Sequence, residues 1–232
     1  YQMAERYNRQ IMIPEIGEDG QQKIRKAKVL LIGVGGLGSP IATYLTGAGI
    51  GKLGIVDDDV VDITNLHRQV LYSEEQTGQK KAECAKQRLQ KLNGEVEIEA
   101  YPFRLTEENA EKMIQGYDIV VDGMDNFATR YIVSDVCERQ NKPYVYGAIR
   151  AMEGQVAVLC KGERTYRSIF PDEQEMQQMP HPGKAVLGTT PAIVGSVQAC
   201  QVLMLAAEFG SPLIDKLWTI NLSTMDSMVI DL

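Results

Sequence analysis

The chain has 232 residues and a formal net charge of −7, long enough to bury a sizeable core as one α/β domain with insertions. That acidic balance excludes a large phosphate-neutralising face, because affinity for nucleic acid rests on clustered Lys and Arg. Cys84, Cys137, Cys160 and Cys200 stand far apart, with no C-x-x-C pair and no signal-peptide pattern ahead of them, so reduced thiols in a cytoplasmic protein are expected.

The first strong pattern is the apolar run Val29 to Ile32, a buried-type strand. It turns through Gly33-Val34-Gly35-Gly36-Leu37-Gly38 into an Ala/Leu-rich helix that reaches Gly49. A strand that turns on glycines into a helix presents free backbone N–H groups and a positive helix end, which together bind phosphate. The spacing fits G-x-G-x-x-G, with Asp57 about 20 residues further on as an acidic ribose partner. On those features alone a dinucleotide-dependent oxidoreductase fits, and so does a merely tight strand–helix turn.

A second strand, Leu53 to Val56, ends in Asp57-Asp58-Asp59. Helical spacing follows from about Gln79 to Leu92, then a strand at Val96 to Ala100, a helix near Glu107 to Gln115, a strand at Ile119 to Val121, a helix from about Phe127 to Gln140, and a strand at Pro143 to Gly147. This alternation predicts a Rossmann-like, doubly wound, mainly parallel sheet. Beyond Gly154 the pattern changes to a hairpin-like strand Gln155 to Cys160, a polar stretch Asp172 to Lys184 that reads as a mobile loop, an apolar helix Pro191 to Gly210, and short strands near Trp218 to Asn221 and Met228 to Ile230. An antiparallel C-terminal extension is expected. Gln198, Gln201 and Glu208 interrupt the apolar helix, which therefore reads as buried or interfacial rather than as a membrane span.

In open α/β sheets a ligand sits outside the carboxyl ends of the strands. Those positions hold Asp57 and Asp59, then Asn65-Leu66-His67-Arg68-Gln69, then Asp122-Gly123-Met124-Asp125-Asn126 with Arg130 one helical turn on. Lys81 opens the third helix, and Arg6 and Arg9 lie in the N-terminal segment. The set suits a triphosphate better than a nicotinamide: Arg and Lys stabilise charge on a phosphorus under attack, and Asp125 is placed to hold Mg2+. Each residue also has a plainer role open to it. Asp57 could cap the sheet edge, Lys81 could be a solvated first-turn lysine, Arg68 could pair with Asp62, and Asp125 could be a helix N-cap. His67 and His181, the two histidines, stand beside no Ser or Cys in a nucleophile motif and read as structural.

Taken together, Arg6-Tyr7-Asn8-Arg9-Gln10, Gly33 to Gly38, Ala48-Gly49-Ile50-Gly51, Asp57-x-Asp59, Asn65 to Gln69, Gly78-Gln79-Lys80-Lys81, Asp122-x-x-Asp125-Asn126, Thr129-Arg130 and Gly147 to Gly154 resemble the ubiquitin-activating-enzyme-like family of ThiF, MoeB and HesA adenylyltransferases. The resemblance runs along nearly the whole chain. It implies Mg-ATP-dependent adenylation of the C-terminal Gly-Gly carboxylate of a ubiquitin-like sulfur carrier, with release of pyrophosphate. By the same resemblance Gly33, Gly35, Gly36 and Gly38 line the nucleotide, with Asp59 and Asn126 beside it. Asp57 meets the ribose, Asn65, Arg68 and Lys81 contact phosphates, and Asp125 holds magnesium. Arg9 reaches the ATP of the other subunit of a homodimer. Residues 1–150 would form the nucleotide-binding half and 151–232 the carrier-binding and dimerisation half. Adenylation of another substrate, such as a peptide or a tRNA base, and a non-catalytic nucleotide-binding scaffold are the competing readings.

Two departures from the family pattern stand out. Where metal-binding members carry C-Y-R-C, this chain has Thr165-Tyr166-Arg167-Ser168, which cannot supply two thiolates, so no zinc site is expected. The loop from Asp172 to Lys184 has no cysteine, so a covalent sulfur-transfer step through it is not expected. Adenylation needs neither.

Overall fold

A computed structural model describes residues 5–179 and 185–232; His181 lies outside them. Eight strands form one sheet in the order β3-β2-β1-β4-β5-β6-β7-β8. They are β1 Lys28–Ile32, β2 Lys52–Val56, β3 Glu97–Tyr101, β4 Ile119–Asp122, β5 Tyr144–Arg150, β6 Glu153–Leu159, β7 Lys216–Asn221 and β8 Asp226–Asp231. The pairs from β3 to β5 are parallel and those from β5 to β8 antiparallel, as the sequence pattern predicts. The order reverses between β1 and β4, and in such sheets the ligand crevice opens there.

The helices are α1 Asn8–Ile11, α2 Gly17–Lys26, α3 Gly38–Ala48, α4 Lys81–Leu92, α5 Glu107–Gln115, α6 Phe127–Arg139, α7 Tyr166–Ile169, α8 Glu173–Gln178 and α9 Thr189–Ala207. Strand side chains alternate between two apolar layers, because successive residues point to opposite faces. Val29 and Leu31 pack with α2, α3, α4 and α9, whereas Leu30 and Ile32 pack with α5 and α6. Both faces are covered, which is why β1, β2 and β4 read as continuous apolar runs.

The structure corrects the expected loop over 172–184 within its described part. Glu173–Gln178 is helical, started by Asp172, whose carboxylate accepts the Glu175 N–H at 2.9 Å; residues 180–184 lie outside the description. Helix α9 is long and apolar enough to cross a membrane by length and composition. Here it packs against α2, α3, β5 and β6, burying Val194, Gln198, Ala199 and Val202. Helix α2, which the pattern reading leaves unassigned, buries Gly20, Gln21 and Ile24 on one stripe.

Candidate functional site

The glycine turn leaves β1 with its backbone committed on both sides. Gly33 N–H donates to the Val56 carbonyl and Gly123 N–H to the Ile32 carbonyl, each at 2.8 Å. Gly33 has φ +86°, and a Cβ there would meet the Gly123 oxygen at 2.6 Å. A Cβ on Gly38 would meet the Gly33 oxygen at 2.3 Å, so the turn closes only without side chains at these positions. No side chain caps the first turn of α3; the Ser39 and Ile41 N–H groups turn back onto the Gly35 and Leu37 carbonyls and Pro40 has none, so the N–H groups open to an anion are those of the turn itself, at Gly35, Gly36 and Leu37.

A cavity of about 380 Å³ opens over this turn. Its wall includes Gly33, Gly35, Gly36, Asp57, Asp59, Arg68, Lys81, Asp125 and Asn126. The strand-end reasoning thus brings together residues up to 93 positions apart in the chain, Gly33 to Asn126. Gly38, Asn65 and Arg9 are not part of that wall: Gly38 sits beneath the turn, Asn65 ends a short 3-10 turn, and Arg9 is exposed on α1. Pattern reading missed the apolar contributors Phe103, Leu105 and Ile149, whereas Met124 falls in the strand-end segment it singled out. Phe103 and Leu105 follow β3, so the strand-end rule, applied to that strand, points to them.

Asp57 holds the turn. Its Oδ2 accepts the Val34 N–H at 2.8 Å and its Oδ1 the Asp59 N–H at 2.9 Å. Burial raises its carboxyl above the usual range, against the lowering effect of those two N–H groups and of Lys81. Lys81 is buried, not a solvated first-turn lysine, and its Nζ lies 3.2 Å from Asp59 Oδ2. Arg68 does not pair with Asp62; its Nη1 donates to the Thr64 carbonyl at 3.2 Å and lies 2.8 Å from His67 Nε2. Asp62 instead accepts from the Thr64 N–H.

Asp125 is not the N-cap of α6. Asn126 is, its Oδ1 accepting the Thr129 N–H at 2.9 Å. Asp125 stays exposed, with no hydrogen-bond or ion-pair partner among the described residues. A free carboxylate on the wall of this cavity fits the hard-oxygen preference of Mg2+. The turn that presents it is anchored from below by a buried pair. Asp122 Oδ1 accepts the Met124 N–H at 2.8 Å, and its Oδ2 accepts Arg130 Nε at 2.9 Å and the Tyr144 hydroxyl at 2.7 Å. Burial works to lower the Arg130 pKa, but the Asp122 carboxylate and nearby tyrosines raise it further, and it stays charged.

A second cavity of about 690 Å³ lies over β5 to β8 and shares Met124, Asp125 and Ile149 with the first. Thr165 and Ser168, at the positions of the absent cysteines, form a reciprocal capping box on α7. Burial pushes all four thiols up, Cys160 to about 12.

Fold and site together define a Rossmann-like α/β domain that gathers a glycine turn, Arg68, Lys81 and a free carboxylate around one cavity. The chain belongs to the ThiF family, which it matches over residues 7–232. It is 45% identical to the Sulfur carrier protein adenylyltransferase of Thermus thermophilus over 216 residues, 90% of this chain and 80% of that protein. It is 44% identical to the Adenylyltransferase and sulfurtransferase MOCS3 of Mus musculus over 89% of this chain, spanning 45% of that longer relative. Two solved structures share the fold: PaaA, with a TM-score of 0.85 and 20% identity over 99% of this chain and 73% of that one, and E. coli MccB with ATP, with 0.81 and 24% over 92% and 66%. Family and relatives make the chain an adenylyltransferase, with ATP as a substrate.

Proposed function

We propose that the chain adenylates the C-terminal Gly-Gly carboxylate of a ubiquitin-like sulfur carrier, ThiS- or MoaD-like, with Mg-ATP, and releases pyrophosphate. One observation carries the reading: a single cavity walled by the glycine turn, Arg68, Lys81 and the unpaired carboxylate of Asp125. The relative named for sulfur carrier adenylylation supports the choice of acceptor.

In this reaction a carboxylate oxygen attacks the α-phosphorus. The new acyl–oxygen–phosphorus link forms as the α–β bridging bond breaks, and pyrophosphate leaves with the electron pair. The backbone N–H groups of Gly35, Gly36 and Leu37, in the turn that leads into α3, hold phosphate oxygens. Arg68 and Lys81 meet the charge that builds on the α-phosphate and the leaving group. Asp57 meets the ribose, Asp59 and Asn126 flank the nucleotide, and Asn65 contacts a phosphate from the turn that carries Arg68. Asp125 would hold Mg2+, which would supply positive charge to offset that of the phosphates.

Attack comes from the partner's own carboxylate, so no side chain need be activated as a nucleophile. Thiols raised by burial support a reaction that stops at the acyl adenylate, since the thiolate is the reactive form. Residues 151–232 receive the carrier and 1–150 the nucleotide. The working unit is a cytoplasmic homodimer in which Arg9 reaches the nucleotide of the second copy. Met12, Tyr44 and Val70, 71%, 60% and 73% exposed, offer apolar surface for that contact.

The test is exchange of labelled pyrophosphate into ATP, run against purified carriers that end in Gly-Gly. Exchange is expected only with an intact carrier tail. Exchange that ignores the tail would contradict the acceptor assignment.

A further inference from the structure

Arg130 has no part in the reaction as described so far; it is the buried partner of Asp122. Its Nε donates to Asp122, and its Nη2 donates to the Met124 carbonyl at 2.8 Å and the Gly147 carbonyl at 3.1 Å. Its Nη1 has no partner among the described residues, although the residue is only 5% exposed. Arg130 lines the second cavity, which meets the nucleotide cavity at Met124, Asp125 and Ile149. The Tyr146 ring, 5.4 Å from its guanidinium carbon, covers another side. A guanidinium fixed by three hydrogen bonds, with unused N–H groups on the wall of a groove beside the ATP site, is a preformed partner for a carboxylate or carbonyl oxygen.

Resting on the adenylation reading above, we infer that Arg130 is a substrate-binding residue whose Nη1 holds the non-attacking oxygen of the terminal carboxylate of an extended tail lying in the second cavity. The groove suits such a tail. Phe170, Met176 and Met228 give it apolar walls, and Arg150 and Glu153 mark a polar edge. The oxygen held by Arg130 becomes the acyl carbonyl of the mixed anhydride, so the bond persists while the other oxygen attacks phosphorus. Fixing the carboxylate plane in this way contributes orientation rather than charge stabilisation at phosphorus. The effect therefore falls on affinity for the acceptor carboxylate.

The decisive experiment is anisotropy titration of the whole protein with a short labelled peptide ending in Gly-Gly and with the same peptide ending in glycinol, which lacks the acyl oxygen. Arg130→Lys is expected to weaken the Gly-Gly peptide about tenfold or more and to leave the glycinol peptide unchanged within about twofold. Tyr144→Phe removes another hydrogen bond from the same oxygen of Asp122, and Tyr144 lines neither cavity. That variant is expected to keep wild-type peptide affinity. An equal loss in Tyr144→Phe, a loss shared by the glycinol peptide, or a wild type with no preference for the carboxylate would each overturn the assignment. If Arg130→Lys does not fold, the double variant Asp122→Asn/Arg130→Gln, which removes both charges of the buried pair, takes its place with the same expected loss. Failure of pyrophosphate exchange with the peptide results intact would overturn adenylation and leave Arg130 its tail. Normal exchange with no loss on substitution would overturn Arg130 alone.

Discussion

At the scale of single residues, the cavity wall divides into groups left open to it and groups that hold the loops. Asp125 is free and Lys81 is held on Asp59, so Asp125→Ala is expected to lower carrier-dependent exchange by about 10²-fold or more, with the loss appearing in both kcat and the Mg2+ requirement. Arg68→Ala should lose a similar factor in kcat/KM for ATP; steady-state kinetics over a matrix of ATP and Mg2+ checks both, and parental rates in either variant would contradict the assignment. Asp57 has a pH signature. Burial raises its carboxyl above 3.8, so the folded protein takes up this proton at higher pH than the unfolded chain does. Ionised Asp57 therefore costs stability above the raised value, and that cost is relieved as the pH falls through it. Protonation also removes an acceptor from the Val34 or Asp59 N–H. Nucleotide affinity is thus expected to fall with pH from a point above 3.8, with a flat profile in Asp57→Asn, as measured by calorimetric titration. Sequence spacing brought these residues to one place because each follows a strand or opens a helix. It did not reveal the Lys81–Asp59 pair or the ties from Asp57, which depend on how close β2 comes to α4 and to the glycine turn.

At the scale of elements, the turn between β1 and α3 has no room for change. Gly33→Ala forces a side chain into a left-handed conformation and against the Gly123 carbonyl. A loss of about 1–3 kcal/mol is expected, read as a lower denaturant midpoint together with weaker ATP binding. Asn126→Ala removes the α6 cap beside Asp125 and should cost about 1 kcal/mol. Helix α7 is closed by Thr165 and Ser168 and by Arg167, which reaches Asp135 and Glu173 at 2.7 and 2.8 Å. A chelator is accordingly expected to leave its melting temperature unchanged, with substoichiometric zinc in the purified protein. The buried strands were legible because they are short apolar runs between glycines and acids. Helix α8 was not, because it is six polar residues long and its start rests on one Asp172 cap. Helix α2 escaped because its apolar stripe is one residue wide, Ile24, with Gly20 and Gln21 beside it.

At the scale of the molecule, a parallel half that carries the glycine turn is joined edge to edge with an antiparallel half, and the two cavities meet where the sheet changes character at β5. The glycine motif with its acidic residue suits a dinucleotide enzyme as well as an ATP enzyme. Arg68, Lys81 and Asp125 tip the balance, and the structure puts all three on the wall over the glycines. The second cavity had no sequence signature, because it is assembled from one side of β5 to β8 and from α6 and α8. Its occupant is the central claim of the account. The most direct measurement is pyrophosphate exchange with a Gly-Gly carrier against the same carrier shortened by its terminal glycine. The account predicts exchange with the first and none with the second; equal exchange with both, or with neither, would contradict it.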